Sequence, residues 1–418
     1  MRDLPRVSLV VVSRGRPVEL RRLLVSLRFL QYPDFEVVVV SSVNPTTSYP
    51  GILPVGRIKF VPFDEPNISA ARNLGIGAAS GEIIAFCDDD AVPEPTWLDN
   101  LIGPFMQPDV AAAGGYVRGR NGISFQWTGR RFDRYGSSFA LDIKGDDPAV
   151  LAGTAEQGIK TEGTNCAFRR QVLVDLGGFD ENFRYYLDET DLNYRIGLAG
   201  WKTVIVPLAQ VHHGFAESST RGRNRAPKSL FEIGASKAWF CKKHGDVDQT
   251  ARKLSGFRAG QRRRLIDFMV RGELSPFDVP RLERSLEEGI AEGLNRREET
   301  SDSILTLQSE NYLPFSDKQP KVKLLAVACR TRNWRKAASE VADEVAKGNS
   351  VTVFRLSLTS MFHRLIFHAD GYWVQTGGIF GRSTRGNRLF KLATLKSRVG
   401  EEVKRLIKVR PLEEIRWF

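Results

Sequence analysis

The chain has 418 residues, 42% hydrophobic and 26% charged, the balance of a soluble globular protein; at about 100 to 200 residues per domain it is too long for one ordinary core. Its apolar runs, such as Val7–Val12 and Val37–Val40, fall far short of the roughly 18 residues that span a bilayer, and "MRDLPRVSLVVVSRGR" is unlike a secretory signal, so the expected location is the cytoplasm. The net charge of +12 is confined to one end: residues 1–320 hold 41 basic and 41 acidic side chains and residues 321–418 hold 20 and 8, which argues against reading the whole chain as a nucleic-acid binder.

From residue 7 to about 118, short apolar runs alternate with helical segments. "VSLVVV" precedes "PVELRRLLVSLRFL", whose Leu20, Leu23, Leu24, Leu27 and Leu30 recur at helical spacing. "FEVVVV", "RIKFV", the helical "NISAARNLGIGAAS", "EIIAFC", the helical "PTWLDNLIGPF" and "VAAAGGYV" follow. Val/Ile runs separated by helices predict parallel strands buried on both faces, hence an α/β sheet whose ligands bind beyond the carboxyl ends of its strands. Residues 119–162 show no period and are expected to be loops. Order resumes at "GTNCAFRRQVLVDLGGF", the helical "YLDETDLNYRIGLAGW" and the strand "KTVIVPLAQVHHG". Residues 227 to about 300 look helical, "TSDSILTLQSENYLPFSDKQP" is a linker, and "KVKLLAVACR", "NWRKAASEVADEVAKG" and "SVTVFRL" predict a second strand, helix, strand unit before a basic closing helix. The expected division is 1–245, 246–320 and 321–418.

Three clusters could carry chemistry, while the dispersed Cys87, Cys166, Cys241 and Cys329 indicate neither a disulfide framework nor a zinc site. Asp88, Asp89 and Asp90 end an apolar strand; alternation sends Asp88 and Asp90 one way and Asp89 the other. Two converging carboxylates suit Mg²⁺ or Mn²⁺, and the competing reading is a solvated loop start that caps the next helix. Asp188, Glu189 and Asp191 begin a helix, either as complements to its dipole or with one as a general base. His212 and His213 end a strand and must face opposite ways, so one can reach a site while the other packs.

As an ordered set over roughly residues 5–245, these motifs resemble the inverting nucleotide-sugar glycosyltransferases of family 2, which have the GT-A fold. The set includes "SAARNLGI", "GEIIAFCDDDAVPEPTWL", "GTNCAFRR", "LGGFDENFRYYLDETDLNYRIGLAGW" and a strand ending in His after "VP". The resemblance implies an α/β GT-A domain with a Rossmann-like mixed sheet, followed by a helical segment and a small C-terminal α/β domain. It implies a D-x-D motif at Asp88 and Asp90, with Asp89 between them, and a divalent metal on Asp88, Asp90 and His213. Ser13, Arg16, Ser41, Arg72, Thr164 and Asn165 fall where the family's donor-binding segments lie. Glu189 falls where its catalytic base commonly sits, and because the order here is Asp-Glu, Asp188 and Asp191 stay open. Ser41 and Ser42 stand where the family commonly has an acidic residue, which leaves the nucleotide undetermined. The implied partners are a nucleotide-sugar donor and a glycan or lipid-linked acceptor.

The rival from another class is a non-catalytic glycan-binding protein on the same scaffold. Residues 321–418 weakly resemble the opening half of family 4 GT-B glycosyltransferases, or form an unrelated α/β appendage, with no catalysis assigned. In their final helix Leu392, Leu395, Val399, Val403, Leu406 and Ile407 form an apolar stripe among Lys391, Lys396, Arg398, Lys404, Arg405 and Lys408. That stripe could lie peripherally on the inner face of the membrane or pack on its own domain.

Overall fold

A computed structural model describes residues 4–49, 56–214, 217, 220–222, 224–298, 311–315 and 322–418. The first Val-rich run is β1 (Val7–Ser13). Pro17 opens α1 (Pro17–Leu27), where the missing N–H costs nothing because first-turn donors have no helical partner. After β2 (Phe35–Ser41), α2 (Pro45–Ser48) and β3 (Ile58–Pro62) comes α3 (Ile68–Ala78), capped by Asn67, whose side chain accepts the Ala70 N–H. β4 (Ile83–Phe86), β5 (Ala91–Pro93), α4 (Trp97–Ile102) and β6 (Val110–Arg118) follow.

Residues 119–162 are not simply loops. They form β7 (Phe125–Trp127), β8 (Arg130–Asp133), β9 (Ser138–Ala140), β10 (Ala149–Ala152) and β11 (Gln157–Lys160). Strands of three or four residues are too short to display an alternation, so their period is invisible in the sequence. β11, β8 and β9 make a small antiparallel sheet, while β10 and β7 join the large one.

β12 (Cys166–Arg169), α5 (Arg170–Asp175), α6 (Asp188–Leu198) and β13 (Lys202–His213) complete the large sheet, whose order is β10-β13-β6-β12-β4-β1-β2-β3. β1 to β4 are mutually parallel where they pair, and β12 runs antiparallel between β4 and β6, so the sheet is mixed. Alternation sorts its core: Leu9, Val11, Val37 and Val39 join one cluster with α1 and α4, and Val10, Val38 and Val40 join another with α3 and α6. Each such burial is worth about 1.5–3 kcal/mol. Gly75 lets α3 lie close on β1, because a Cβ there would sit 2.4 Å from Val10 Cγ1.

α7 (Phe231–His244), α8 (Val247–Val270) and α9 (Asp278–Asn295) pack together around Cys241, Leu254, Leu265, Leu282 and Leu286. In the linker, Phe315 donates its N–H to Phe35 at 2.8 Å and stacks on its ring, which fixes that piece to the start of β2. The second unit comprises β14 (Leu324–Arg330), α10 (Trp334–Ala346), β15 (Ser350–Ser357), β16 (Arg364–Phe367), β17 (Trp373–Gly378), α11 (Leu395–Leu406) and β18 (Glu414–Trp417). Its sheet order is β16-β17-β15-β14-β18, parallel except for β16.

Four residues of the apolar stripe of the last helix are spent inside this unit, while Leu392 and Ile407 stay exposed. Val399 and Leu406 are fully buried with Ala326 and Phe354, Leu395 and Val403 pack against them, and the helix begins only after the exposed Leu392. Two of its cations are engaged as well: Arg398 and Arg405 pair with Glu402 at 3.2 and 2.9 Å. A stripe of this period fits a core as well as a membrane. The same cluster takes in Val25, Phe29 and Val92 of the first unit, so the two units share apolar contacts. Among the described residues, no helix is long and apolar enough to cross a membrane.

Candidate functional site

β4 stops at Phe86, and the chain then turns, with the Ala91 N–H donating to the Asp88 carbonyl at 3.0 Å. The acidic triplet is therefore a turn and not the extended strand end expected, so the turn itself separates the carboxylates. Asp89 points inward, fully buried, accepting from Ser13 Oγ at 2.7 Å and pairing with Arg16 Nη2 at 2.8 Å. Burial pushes its carboxyl up to about 7 against the pull of Arg16. It braces the loop after β1 and does not line the cavity, which corrects its expected donor contact.

β5 then positions the third member, His213 of β13. It pairs with the end of β13 so that Ala91 faces His213 and Val92 faces His212, and Gly214 donates its N–H to the Asp90 carbonyl at 2.8 Å. A register shift between Val206 and Gln210, where Pro207 has no N–H to give the ladder, resets this end of β13. His213 Nε2 lies 3.1 Å from Asp90 and 3.9 Å from Asp88. One ligand atom from each of Asp88, Asp90 and His213 lies within 4.8 Å of the others, a group that could hold a metal ion. Two hard oxygen donors with one imidazole suit a divalent ion of the Mg²⁺/Mn²⁺ class, with the nitrogen favouring the softer Mn²⁺.

The facing wall is built by α3 and α6. Arg72 is buried, lies over the Phe86 and Phe179 rings, and bridges the two acidic groups: it pairs with Asp188, lies 3.7 Å from Asp88, and donates to the Gly163 carbonyl at 3.1 Å. Tyr186 and Leu187 both take left-handed backbone, at φ 78° and 67°, immediately before the first turn of α6. Two consecutive non-glycine residues in that region cost about 1–3 kcal/mol each and are typically held at functional sites. Asp188 and Glu189 then enter the cavity from the helix N-terminus, whose dipole favours carboxylates. Glu189 pairs with Lys160 of β11, whose Nζ also donates to Thr190 Oγ1 at 2.8 Å. Burial raises the Asp188 carboxyl to about 7 against Arg72. The same burial acts on Glu189, but the Lys160 charge and hydrogen bond outweigh it and hold that carboxyl down to about 2.

Besides Asp89, three candidates do not reach the cavity. Asp191 turns away and is held by Arg195 at 2.7 Å, His244 at 2.7 Å and Lys243 at 3.1 Å, which explains a carboxyl far below its usual range despite full burial. It is a structural hub for α6 and α7. Ser41 donates to the Val43 carbonyl at 2.5 Å and shapes its own loop. Asn165 donates to the Tyr116 and Ala209 carbonyls and accepts from Trp97 Nε1, so its amide braces β6, β13 and α4. Its neighbour Thr164 does line the cavity, and its buried Oγ1 has no hydrogen-bond partner among the described residues.

Two features escape sequence reasoning. Lys160 lies in the stretch expected to be loop. Glu94, in the "PEP" that follows the triplet, is fully buried and receives Arg410 of the C-terminal unit at 2.8 and 3.0 Å on one oxygen and His212 Nε2 at 2.7 Å on the other. Arg410 in turn lies 3.9 Å over the Trp373 ring. Burial lowers His212 to about 4, so at neutral pH it is uncharged and donates its Nε2–H to Glu94. One of the paired histidines thus faces the candidate metal group and the other anchors the C-terminal sheet.

Arg16, Arg72, Asp88, Asp90, His213, Asp188 and Glu189 line one cavity of about 1470 Å³. Residues 8–177 match the family model described as glycosyl transferase family 2. The O-antigen biosynthesis protein RfbC of Myxococcus xanthus is 29% identical over 245 residues, covering 55% of this chain and 19% of that protein. The pre-mycofactocin glycosyltransferase of Mycobacterium tuberculosis (strain CDC 1551 / Oshkosh) is 29% identical over 248 residues, 57% of this chain and 48% of that one. The chain thus spans less than half the length of these relatives. Among solved structures, the mannosyltransferase PcManGT from Pyrobaculum calidifontis in complex with GDP-Man and Mn²⁺ aligns over 70% of this chain and 88% of that one, at 16% identity and TM-score 0.42.

Proposed function

We propose, on the premise that residues 8–177 are a glycosyl transferase family 2 domain, that this chain moves a sugar from a nucleotide-diphosphate donor to a hydroxyl of a glycan or lipid-linked acceptor, with inversion. The observation that carries the reading is the meeting, in one cavity, of Asp88, Asp90 and His213 on one wall with Asp188 and Glu189 on the other. A divalent cation held by the first three would supply counter-charge for the donor diphosphate as it leaves. Arg72, fixed between Asp88 and Asp188, ties the geometry of the two walls together. Thr164 Oγ1 offers an unused hydrogen-bonding group to the donor sugar.

Glu189 is the base in this account. Its carboxylate takes the proton of the acceptor hydroxyl as that oxygen bonds to the anomeric carbon, the bond from that carbon to the diphosphate breaks on the opposite face, and the nucleoside diphosphate departs. Likeness to an O-antigen biosynthesis protein supports a place in surface polysaccharide or glycoconjugate synthesis. The pairing of Glu189 with Lys160 is the one observation that favours the rival reading, a non-catalytic glycan-binding scaffold, because a carboxyl held at about 2 is a weak base. Replacing Glu189 by Gln separates the two: turnover should fall about 10²- to 10⁴-fold while donor affinity is retained. Near-normal turnover would remove Glu189 from the role.

A further inference from the structure

The C-terminal unit gathers large apolar side chains on one exposed surface, outside the cavity and outside the closing helix. Met361, Phe362, Leu389, Phe390 and Leu392 are each more than half exposed. They lie on two stretches of chain that are stitched to a third, residues 378–382. Gly378 donates its N–H to the Met361 carbonyl at 3.0 Å, His363 to the Arg382 carbonyl at 3.0 Å, and Lys391 to the Phe380 carbonyl at 3.1 Å. The Phe390 ring sits 5.7 Å from that of Phe380, and the Arg382 guanidinium lies 4.7 Å over the Phe362 ring. Gly381 permits the close approach, since a Cβ there would sit 2.0 Å from the Met361 carbonyl oxygen. Leu392, expected in the closing helix, belongs to this surface because the Thr394 side chain caps that helix, which begins only at Leu395. The strand that follows Phe362 is fixed to the first unit: Leu365 donates its N–H to the Asn121 carbonyl at 2.8 Å, next to Arg120 of the cavity wall.

A contiguous group of exposed apolar side chains marks an interaction surface, and its charge selects the partner. Residues 358–405 hold nine Lys and Arg against three Asp and Glu. Paired groups are part of that sum: Lys391 and Arg398 pair with Glu401, and Arg398 and Arg405 with Glu402. Long-range attraction follows net charge, so the positive surplus persists despite these pairs. Arg364, Arg385 and Arg388 are exposed on the same stretches as the apolar group. A second copy of the chain docking face to face would set this positive surface against itself, whereas an anionic bilayer complements it. We infer that Met361, Phe362, Leu389, Phe390 and Leu392 enter the headgroup region of an anionic membrane, drawn there by the surrounding positive charge, and so seat the chain peripherally. Docking of this surface is independent of the glycosyl-transfer reading, and it would bring the cavity to molecules carried in the bilayer.

The test is co-sedimentation of the full chain with vesicles of mixed phosphatidylglycerol and phosphatidylcholine, or of phosphatidylcholine alone. The chain should bind the anionic vesicles at least about tenfold more tightly than the neutral ones, and less tightly as salt rises from about 0.1 to about 0.5 M. Phe362→Ser/Phe390→Ser should weaken binding at least about tenfold, and Arg385→Gln/Arg388→Gln at least about threefold, with urea unfolding of both variants matching wild type. A second readout removes no ring from the surface. All four native cysteines are buried, so Leu392→Cys takes an environment-sensitive dye at that position alone, and its emission should shift to the blue on anionic vesicles. No binding to anionic vesicles, equal binding to neutral ones, folded variants that bind like wild type, or dye emission that does not move would each overturn the inference. Self-association that Phe362→Ser/Phe390→Ser abolishes, with no vesicle binding, would also overturn it and give the face to a second copy. No nucleotide sugar is present in these measurements, so their outcome and that of the glycosyl-transfer reading are separate.

Discussion

Replacing Arg410 by Met tests the joint between the two sheets. Arg410 and Glu94 are both fully buried; the guanidinium donates twice to one Glu94 oxygen and, at 3.1 Å, to Thr352 Oγ1. Methionine keeps most of the apolar stem but leaves Glu94 without its cation, and stranding one partner of a buried pair costs about 3–5 kcal/mol. Loss of the contact with the Trp373 ring adds up to about 2 kcal/mol. The pH dependence carries the same signature. Burial raises the Glu94 carboxyl, but Arg410 and the His212 hydrogen bond outweigh it and hold it at about 2, below the usual 4.5. A carboxyl depressed in the folded state adds stability that is fully present above pH 4.5 and lost as pH falls toward 2, here about 3 kcal/mol. Urea unfolding of the full chain at pH 7 and pH 3.5 measures both effects. Arg410→Met should lose about 3–7 kcal/mol at pH 7 and less at pH 3.5, and adding Glu94→Gln should recover much of the ion-pair part of the loss. A pH 7 loss under 1 kcal/mol, or equal losses at both pH values, would refute the reasoning.

Further outcomes follow from single contacts. Lys160→Met removes the cation that holds Glu189 down, so the acid limb of the turnover profile should move to higher pH; an unmoved limb in stopped assays across pH 4–8 would mean that Glu189 does not set it. Asp191→Asn should cost about 3–5 kcal/mol in urea unfolding by uncoupling Arg195, Lys243 and His244, while donor affinity stays near wild type, since Asp191 lies outside the cavity. Gly75→Ala forces a Cβ against Val10 and should destabilise by about 1–3 kcal/mol in the same measurement, through overpacking of α3 on β1.

The first four strands and their helices were readable because long Val/Ile runs and Leu spacing report burial directly. Asp88, Asp90 and His213 also meet in space, but through a turn and a strand pairing that alternation does not describe. The strands between residues 125 and 160 are too short to carry a period, and Lys160 was hidden with them. Asp191 and Asn165 share local sequence with cavity residues, and only three-dimensional packing shows that their polar atoms are consumed elsewhere. Nothing local could connect Glu94 with Arg410, which are 316 positions apart. The stripe of the last helix shows the limit from the other side: its amphipathic spacing is compatible with a membrane or a core, and in the fold Val399 and Leu406 are buried in the core while Leu392 and Ile407 are exposed.

The central claim is tested most directly by release of nucleoside diphosphate from a panel of nucleotide sugars with Mn²⁺. Wild type should release it from at least one donor, with EDTA abolishing the signal and Asp88→Asn/Asp90→Asn lowering it at least a hundredfold. Release that is the same in EDTA and in the double variant, or no release from any donor, would contradict the account.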